Sequence, residues 1–116
     1  VTEICAIPEL REGWAFTILS LEKYQFMGGP RFNAYYTRSE PRIWMSANPV
    51  ALDYLIFRRI NRHRASYDFP AIDPIPQIFE YGKAIGLGEY ALSSLELTRL
   101  TPVRPADAAP ADAAKK

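Results

Sequence analysis

The residues with the most chemical potential gather at one junction, Ser46-Ala47-Asn48-Pro49-Val50-Ala51-Leu52-Asp53. Ser46 stands near the end of an apolar run over residues 42–47 that reads as a strand. Asn48 and Pro49 are the cap and first residue expected of a helix. A strand feeding a helix N-terminus is where α/β proteins bind anions, because the first helical N–H groups have no intrahelical acceptor. Capping alone also explains both residues and is worth about 1 kcal/mol. Asp53 has Pro49, Val50, Ile56 and Phe57 as its nearest neighbours along a helix, so no cation partners it there. Such a carboxylate either faces a ligand or cation, or is held by a hydrogen bond from a neighbouring loop.

Three further groups could do chemistry. Gly28-Gly29-Pro30-Arg31 offers a backbone cradle with Arg31 as an anion clamp, or simply a rigid turn. With Ser20 at the end of the preceding strand, the expected strand-end site comprises Ser20, Gly28, Gly29, Arg31, Ser46, Asn48 and Asp53, and would take a small anionic ligand. The cluster Arg58, Arg59, Arg62, His63 and Arg64 could grip a polyanion, or complement a helix dipole at its C-terminus. Cys5 has no neighbouring base to make it a nucleophile and reads as a small core residue.

Composition narrows the classes. The 116 residues suit one domain or part of one, and 48% apolar with 13% aromatic residues can build a core. A net charge of +1 argues against a dedicated nucleic-acid protein. A single cysteine excludes an internal disulfide and an all-cysteine iron–sulfur or zinc site, and a single histidine argues against a multi-histidine metal site. No cofactor is therefore expected within the chain. No apolar run approaches the roughly 20 residues that span a bilayer. Val1 in place of methionine, with no leader-like segment after it, leads us to expect a fragment, a processed product or an excised domain.

The elements that must position these residues follow from pattern. Residues 2–7 and 14–21 read as strands, with Pro8 ending the first. Residues 22–41 read as a long loop, whose aromatics Tyr24, Phe26, Phe32, Tyr35 and Tyr36 argue against disorder and for a functional role. A helix is expected from Pro49 to about Arg64, apolar nearly all round in its first half and so covered on more than one side. A second helix should open at Asp73-Pro74 and stop at Gly86. Residues 93–100 alternate polar and apolar like a half-exposed edge strand, and the Pro/Ala-rich tail from residue 101 reads as disordered. The expected fold is α/β: a small, mixed, partly parallel sheet of about four strands with two main helices, incomplete as a domain.

Residues 16–100 resemble the C-terminal part of the family called domain of unknown function 362. The ordered set Gly28-Gly29-Pro30, Ser46 to Asp53, and Gly86-Leu87-Gly88 carries the resemblance. It implies an α/β fold lacking its N-terminal half, and a redox context in which an iron–sulfur cluster would sit only in a fused or partner domain. The family usually has Asp where this chain has Asn48, and often has Asp where this chain has Ser20. A metal or proton role resting on those acids would be lost here. An alternative is a non-catalytic piece that docks on the missing N-terminal half or on a redox partner; the all-round apolar helix favours it.

Overall fold

The computed structural model describes residues 2–73 and 76–102. Its backbone frame is a long bent hairpin. Thr17–Ser20 (β1) pairs antiparallel with Ile43–Ser46 (β4), placing Thr17 opposite Ser46 and Ile18 opposite Met45. Beyond this ladder Leu21 N–H donates to Arg42 O at 3.0 Å and Glu40 N–H to Leu21 O at 2.9 Å. Pairing then resumes between Tyr24–Gln25 (β2) and Thr37–Arg38 (β3), and Phe26 N–H closes it on Tyr36 O at 2.9 Å.

Against this hairpin lies Pro49–Ala65 (α1). Asn48 starts it by accepting from Ala51 N–H at 3.0 Å, with Pro49 where no donor is needed, and its last turn carries Arg62, His63 and Arg64. The expected helix is thus present. Its Val50, Ala51 and Leu52 are buried because β1 and β4 cover one side and Gln77–Ala84 (α2) another. Gly82 makes that second approach possible: a Cβ there would stand 3.0 Å from Val50 Cγ2. Gly86, at φ +76°, ends α2 in a left-handed cap in which Leu87 N–H donates to Gly82 O at 2.9 Å and Gly86 N–H to Lys83 O at 3.0 Å. Leu21, Phe26, Val50, Ala51, Leu52 and Phe79 are the buried apolar residues among those described.

The result is a small mixed α/β fold, but several expectations need correction. Every described strand pair is antiparallel, in two two-stranded ladders rather than one partly parallel sheet of four. The chain returns from β1 to β4 through a hairpin tip, with no helical crossover to make a parallel neighbour. Residues 2–7 are not a strand: Thr2–Cys5 is a helical turn and Pro8–Gly13 a short helix with Pro8 at its start. Tertiary docking outweighs the β-propensity there, since Thr2–Cys5 packs on α2 and Tyr81 Oη donates to Glu3 at 3.3 Å. The 22–41 loop is structured as the outer half of the hairpin. Residues 93–100 form no ladder; after a 3-10 turn over Leu92–Ser94 the chain takes up no regular structure, and among the described residues no hydrogen bond is made by residues 96–102. The second helix opens at Gln77, not at Asp73-Pro74, and residues 74 and 75 lie outside the described residues. The disordered tail expected from residue 101 falls outside them from residue 103 onward.

Candidate functional site

Two groupings of polar chemistry flank α1, one at each end. At its N-terminal end, Asn48 is saturated. Its Oδ1 takes the Ala51 N–H, its Nδ2 donates to Glu89 O at 2.6 Å, and its own N–H donates to Ser46 Oγ at 3.0 Å. The turn at Gly88 presses on this cap so closely that a Cβ there would fall 1.9 Å from Asn48 Oδ1. Lys83 Nζ reaches Glu89 Oε2 at 2.8 Å on the same turn, and with the Tyr90 and Ala91 N–H groups this lowers the Glu89 pKa to about 2. The helix terminus that could have met an anion is therefore occupied by its own cap and covered by residues 86–89.

Asp53 lies one turn further along, exposed, and lines a cleft of about 110 Å³ with Thr2, Cys5, Trp14, Val50 and Phe79 among its walls. Loss of hydration beside these apolar walls raises its pKa. The cleft has room for only a few water-sized groups, well short of the 300 Å³ or so typical of a drug-sized ligand site. Cys5 is half-buried on this wall rather than in a strand core.

The other expected site residues sit elsewhere. Ser20 opposes Ile43, at the far end of the β1–β4 ladder from Ser46, about 10 Å along the strand. Its Oγ accepts from Glu22 N–H at 3.3 Å. Gly28 (φ +78°), Gly29, cis-Pro30 and Arg31 form the hairpin tip, farther still. Gln25 organises that tip, donating to Met27 O at 2.8 Å and Arg31 O at 3.0 Å while accepting from Asn33 N–H at 2.8 Å. Ser46 and Asn48 are thus brought together near Asp53, whereas Ser20 and the 28–31 tip are not joined to them. Neither of the two clefts near α1's start includes the tip.

The second grouping surrounds the C-terminal half of α1; Arg59 and His63 stood among the sequence candidates as members of the basic cluster, whereas Tyr24 and Glu40 did not. Glu40, on the returning arm of the hairpin, is held by Arg59 through a two-pronged contact, with Nε to Oε1 at 2.7 Å, and accepts a hydrogen bond from Tyr24 Oη. His63 Nε2 lies 2.8 Å from Tyr24 Oη. Since Tyr24 spends its one proton on Glu40, His63 must donate through Nε2–H. Burial raises the Glu40 pKa, but the Arg59 and Tyr24 hydrogen bonds and the charges of Arg59 and Arg42 outweigh it, so the net shift is downward. Burial and the bond to Glu40 push Tyr24 up. Burial, Arg59 and Arg38 push His63 down, so the imidazole is neutral at pH 7.

Beside this network Arg38 lies over the Phe26 and Tyr67 rings and donates to Tyr67 Oη. Arg64 donates to Phe26 O at 3.1 Å and Pro70 O at 2.8 Å. Three members of the basic cluster, Arg59, His63 and Arg64, are thus engaged internally, while Arg58 and Arg62 point their charge to solvent. One local signal existed: Arg59 and His63 are four apart and share a helix face. Their partners Tyr24 and Glu40 lie 39 and 19 residues away respectively, beyond any motif.

A Glu–Tyr–His chain can in principle pass a proton, but here its members bond to one another and border neither cleft. Its arrangement is that of a clamp between hairpin and helix. Among the described residues no group of three His, Cys, Asp or Glu side chains could hold a metal, and no helix is long and apolar enough to cross a membrane.

A third surface is apolar. Ile18 and Met45, directly opposed, are 57% and 60% exposed; Ile43, two residues before Met45, is 66%, and Phe16, two before Ile18, is 52%. Residues two apart share a sheet face, so these four side chains form one row on the side of the ladder away from α1. Thr17, Leu19, Trp44 and Ser46 take the opposite side and are half-buried. Comparison with known proteins finds no match among protein-family models, curated proteins or solved structures.

Proposed function

We propose that this chain is a non-catalytic docking module and that the outer face of the β1–β4 ladder is its binding surface. The observation that carries it is the row Phe16, Ile18, Ile43 and Met45, four large apolar side chains on one sheet face with no charge among them. Single exposed hydrophobics are ordinary, whereas a contiguous apolar patch marks a contact surface. The thin core points the same way, because a two-stranded ladder covered on one side leaves half of its side chains without a layer to pack on.

The resemblance to domain of unknown function 362 points to the occupant: the N-terminal half of such a domain, or a redox partner carrying an iron–sulfur cluster. Binding of a small anion at the junction draws less support. The anion would have to displace the Asn48 cap and approach the Asp53 carboxylate. Polyanion binding through the basic cluster has Arg58 and Arg62 available but not Arg59 or Arg64.

The test is a photo-reactive benzophenone side chain in place of Met45, introduced in the cell that makes the protein. A discrete cross-linked species is expected there, and none when the probe replaces Lys23, which is exposed and polar. The absence of any adduct at position 45 would overturn the proposal.

A further inference from the structure

We infer that the hairpin tip over residues 28–35 docks on the surface of a membrane containing anionic lipids, with Phe32 and Tyr35 entering the headgroup layer and Arg31 meeting the lipid phosphates. This surface is distinct from the docking face proposed above. Residues 28–35 are exposed without a break. Among them Phe32 is 72% and Tyr35 70% exposed, at the opposite end of the hairpin from the apolar row of the β1–β4 ladder. Tyrosine favours the membrane–water interface, and phenylalanine supplies apolar surface to interfacial segments. At about 200 Å² for each ring, the pair offers on the order of 300 Å² of aromatic surface. That is too little for a specific protein interface, which takes about 800 Å² from each partner, whereas a lipid surface accepts a narrow tip.

The charges and the backbone of the tip suit the same setting. Between Glu22 and Glu40 the chain carries Lys23, Arg31 and Arg38 and no acid. Among the described residues Lys23 and Arg31 enter no ion pair, so their charge is free to meet lipid phosphates. On the helix side, Asp68 follows the Tyr67 ring that Tyr35 meets edge-on, and Arg64, which donates to Phe26 O, offsets it. Entry into a layer poor in water also demands that backbone polar groups find partners within the protein. Two side chains supply many of them here. Gln25 donates to Met27 O and Arg31 O and accepts from Asn33 N–H, and Asn33 Oδ1 accepts from Tyr35 N–H at 3.0 Å. Asn33 O accepts from both Tyr36 N–H and Thr37 Oγ1. Pro30 has no N–H to satisfy. A nucleic acid fits less well, because aromatic platforms for bases line grooves tracked by several cations, and neither cleft reaches the tip.

The experiment sediments the full chain with phosphatidylcholine vesicles, with and without about 30% phosphatidylserine. The unaltered chain should bind the anionic vesicles, bind plain phosphatidylcholine more weakly, and be released as salt rises. Phe32→Ala with Tyr35→Ala should weaken binding by roughly tenfold or more, and Arg31→Glu by a similar factor. All three side chains are exposed, so circular dichroism should be unchanged. Leu97→Ser removes an equally exposed apolar side chain outside the tip and should bind as the unaltered chain does. Phe32→Trp places a fluorescent reporter in the tip and keeps its aromatic surface, with Trp14 and Trp44 of the unaltered chain as the baseline. Its emission should shift to the blue and be quenched by lipids brominated near the headgroup. Absence of binding to the anionic vesicles would overturn the inference, and so would binding that survives the double substitution or is lost equally in Leu97→Ser. Binding to a single-stranded oligonucleotide in place of vesicles would overturn it in favour of nucleic acid. If an alanine or glutamate variant misfolds, the Phe32→Trp reporter decides, and emission that vesicles leave unchanged overturns the inference. None of these outcomes bears on the cross-link from position 45, so the docking face stands or falls separately.

Discussion

The two halves of the hairpin solve the same packing problem in opposite ways. The outer half, β2 and β3 with the tip, is bound to α1 on the side that carries chemistry. Phe26 is buried among Tyr36, Tyr67 and His63, Arg38 lies over the Phe26 and Tyr67 rings, and Glu40 ties both arms to Arg59. The inner half, β1 and β4, covers α1 with one face and leaves Phe16, Ile18, Ile43 and Met45 in water on the other. Polar residues, usually the ones read for function, hold the fold together here; apolar residues, usually the ones read for the fold, form the free surface. Charge identifies a functional site only when the charges have somewhere to act, and around Glu40 they are spent on each other.

That contrast can be broken at graded strength. Phe26→Ala should be the most damaging change, lowering stability by about 3–5 kcal/mol in urea unfolding, because it empties the centre of the aromatic cluster. A loss below about 1 kcal/mol would mean that the outer half is not what secures the hairpin.

Next comes Glu40→Gln, expected to cost about 2–3 kcal/mol at pH 7, since Arg59 would lose its charged acceptor in a half-covered site. The same end should weaken in acid. The folded pKa of Glu40 lies below its ordinary 4.5, so its contribution is complete above that value and is lost as pH falls through the folded pKa. The folded pKa of His63 lies below 6.5, so the unfolded chain takes up that proton first and stability begins to decline below about pH 6.5. Urea midpoints measured from pH 7 to pH 3 should therefore fall in two stages, and Glu40→Gln should shrink the lower one, leaving the part that Glu89 contributes.

A smaller loss, about 1–2 kcal/mol, is expected for Gly88→Ala, whose methyl group would collide with the Asn48 cap. It would show as a lower melting temperature, with the outer half's amide protection unchanged. The smallest effect belongs to Met45→Lys, which should alter the stability of the isolated chain by no more than about 0.5 kcal/mol, as expected for an exposed position. If it instead unfolded the chain, the inner face would be part of the core and not a docking surface.

How far the sequence could be read differs by element. The helix Pro49–Ala65 and the Gly86 stop were legible because their signals are local: a cap, a proline, a left-handed glycine and an apolar run lie within a few residues. Asn48 and Ser46 were rightly singled out as the junction, yet their hydrogen bonds are made to Ala51, Glu89 and each other. The strand expected at residues 2–7 turned helical, since Ile and Cys suit either state and the contact with α2 decides between them. Residues 22–41 looked like a loop because β2 and β3 are two residues each, too short for any periodicity to register.

The sequence by itself determined one long helix, its start, the glycine stop of the next, the lack of cysteines for a disulfide or cluster, and two strands within residues 14–21 and 42–47. Each of these depends on residues within one or two turns of one another. Only the tertiary structure decided that the strands pair antiparallel through a hairpin, that Tyr24, Glu40, Arg59 and His63 meet, and which alternate set of strand side chains is left uncovered. Those outcomes turn on contacts between residues 12 to 39 positions apart, and the alternation of a strand is the same whichever face the helix happens to cover.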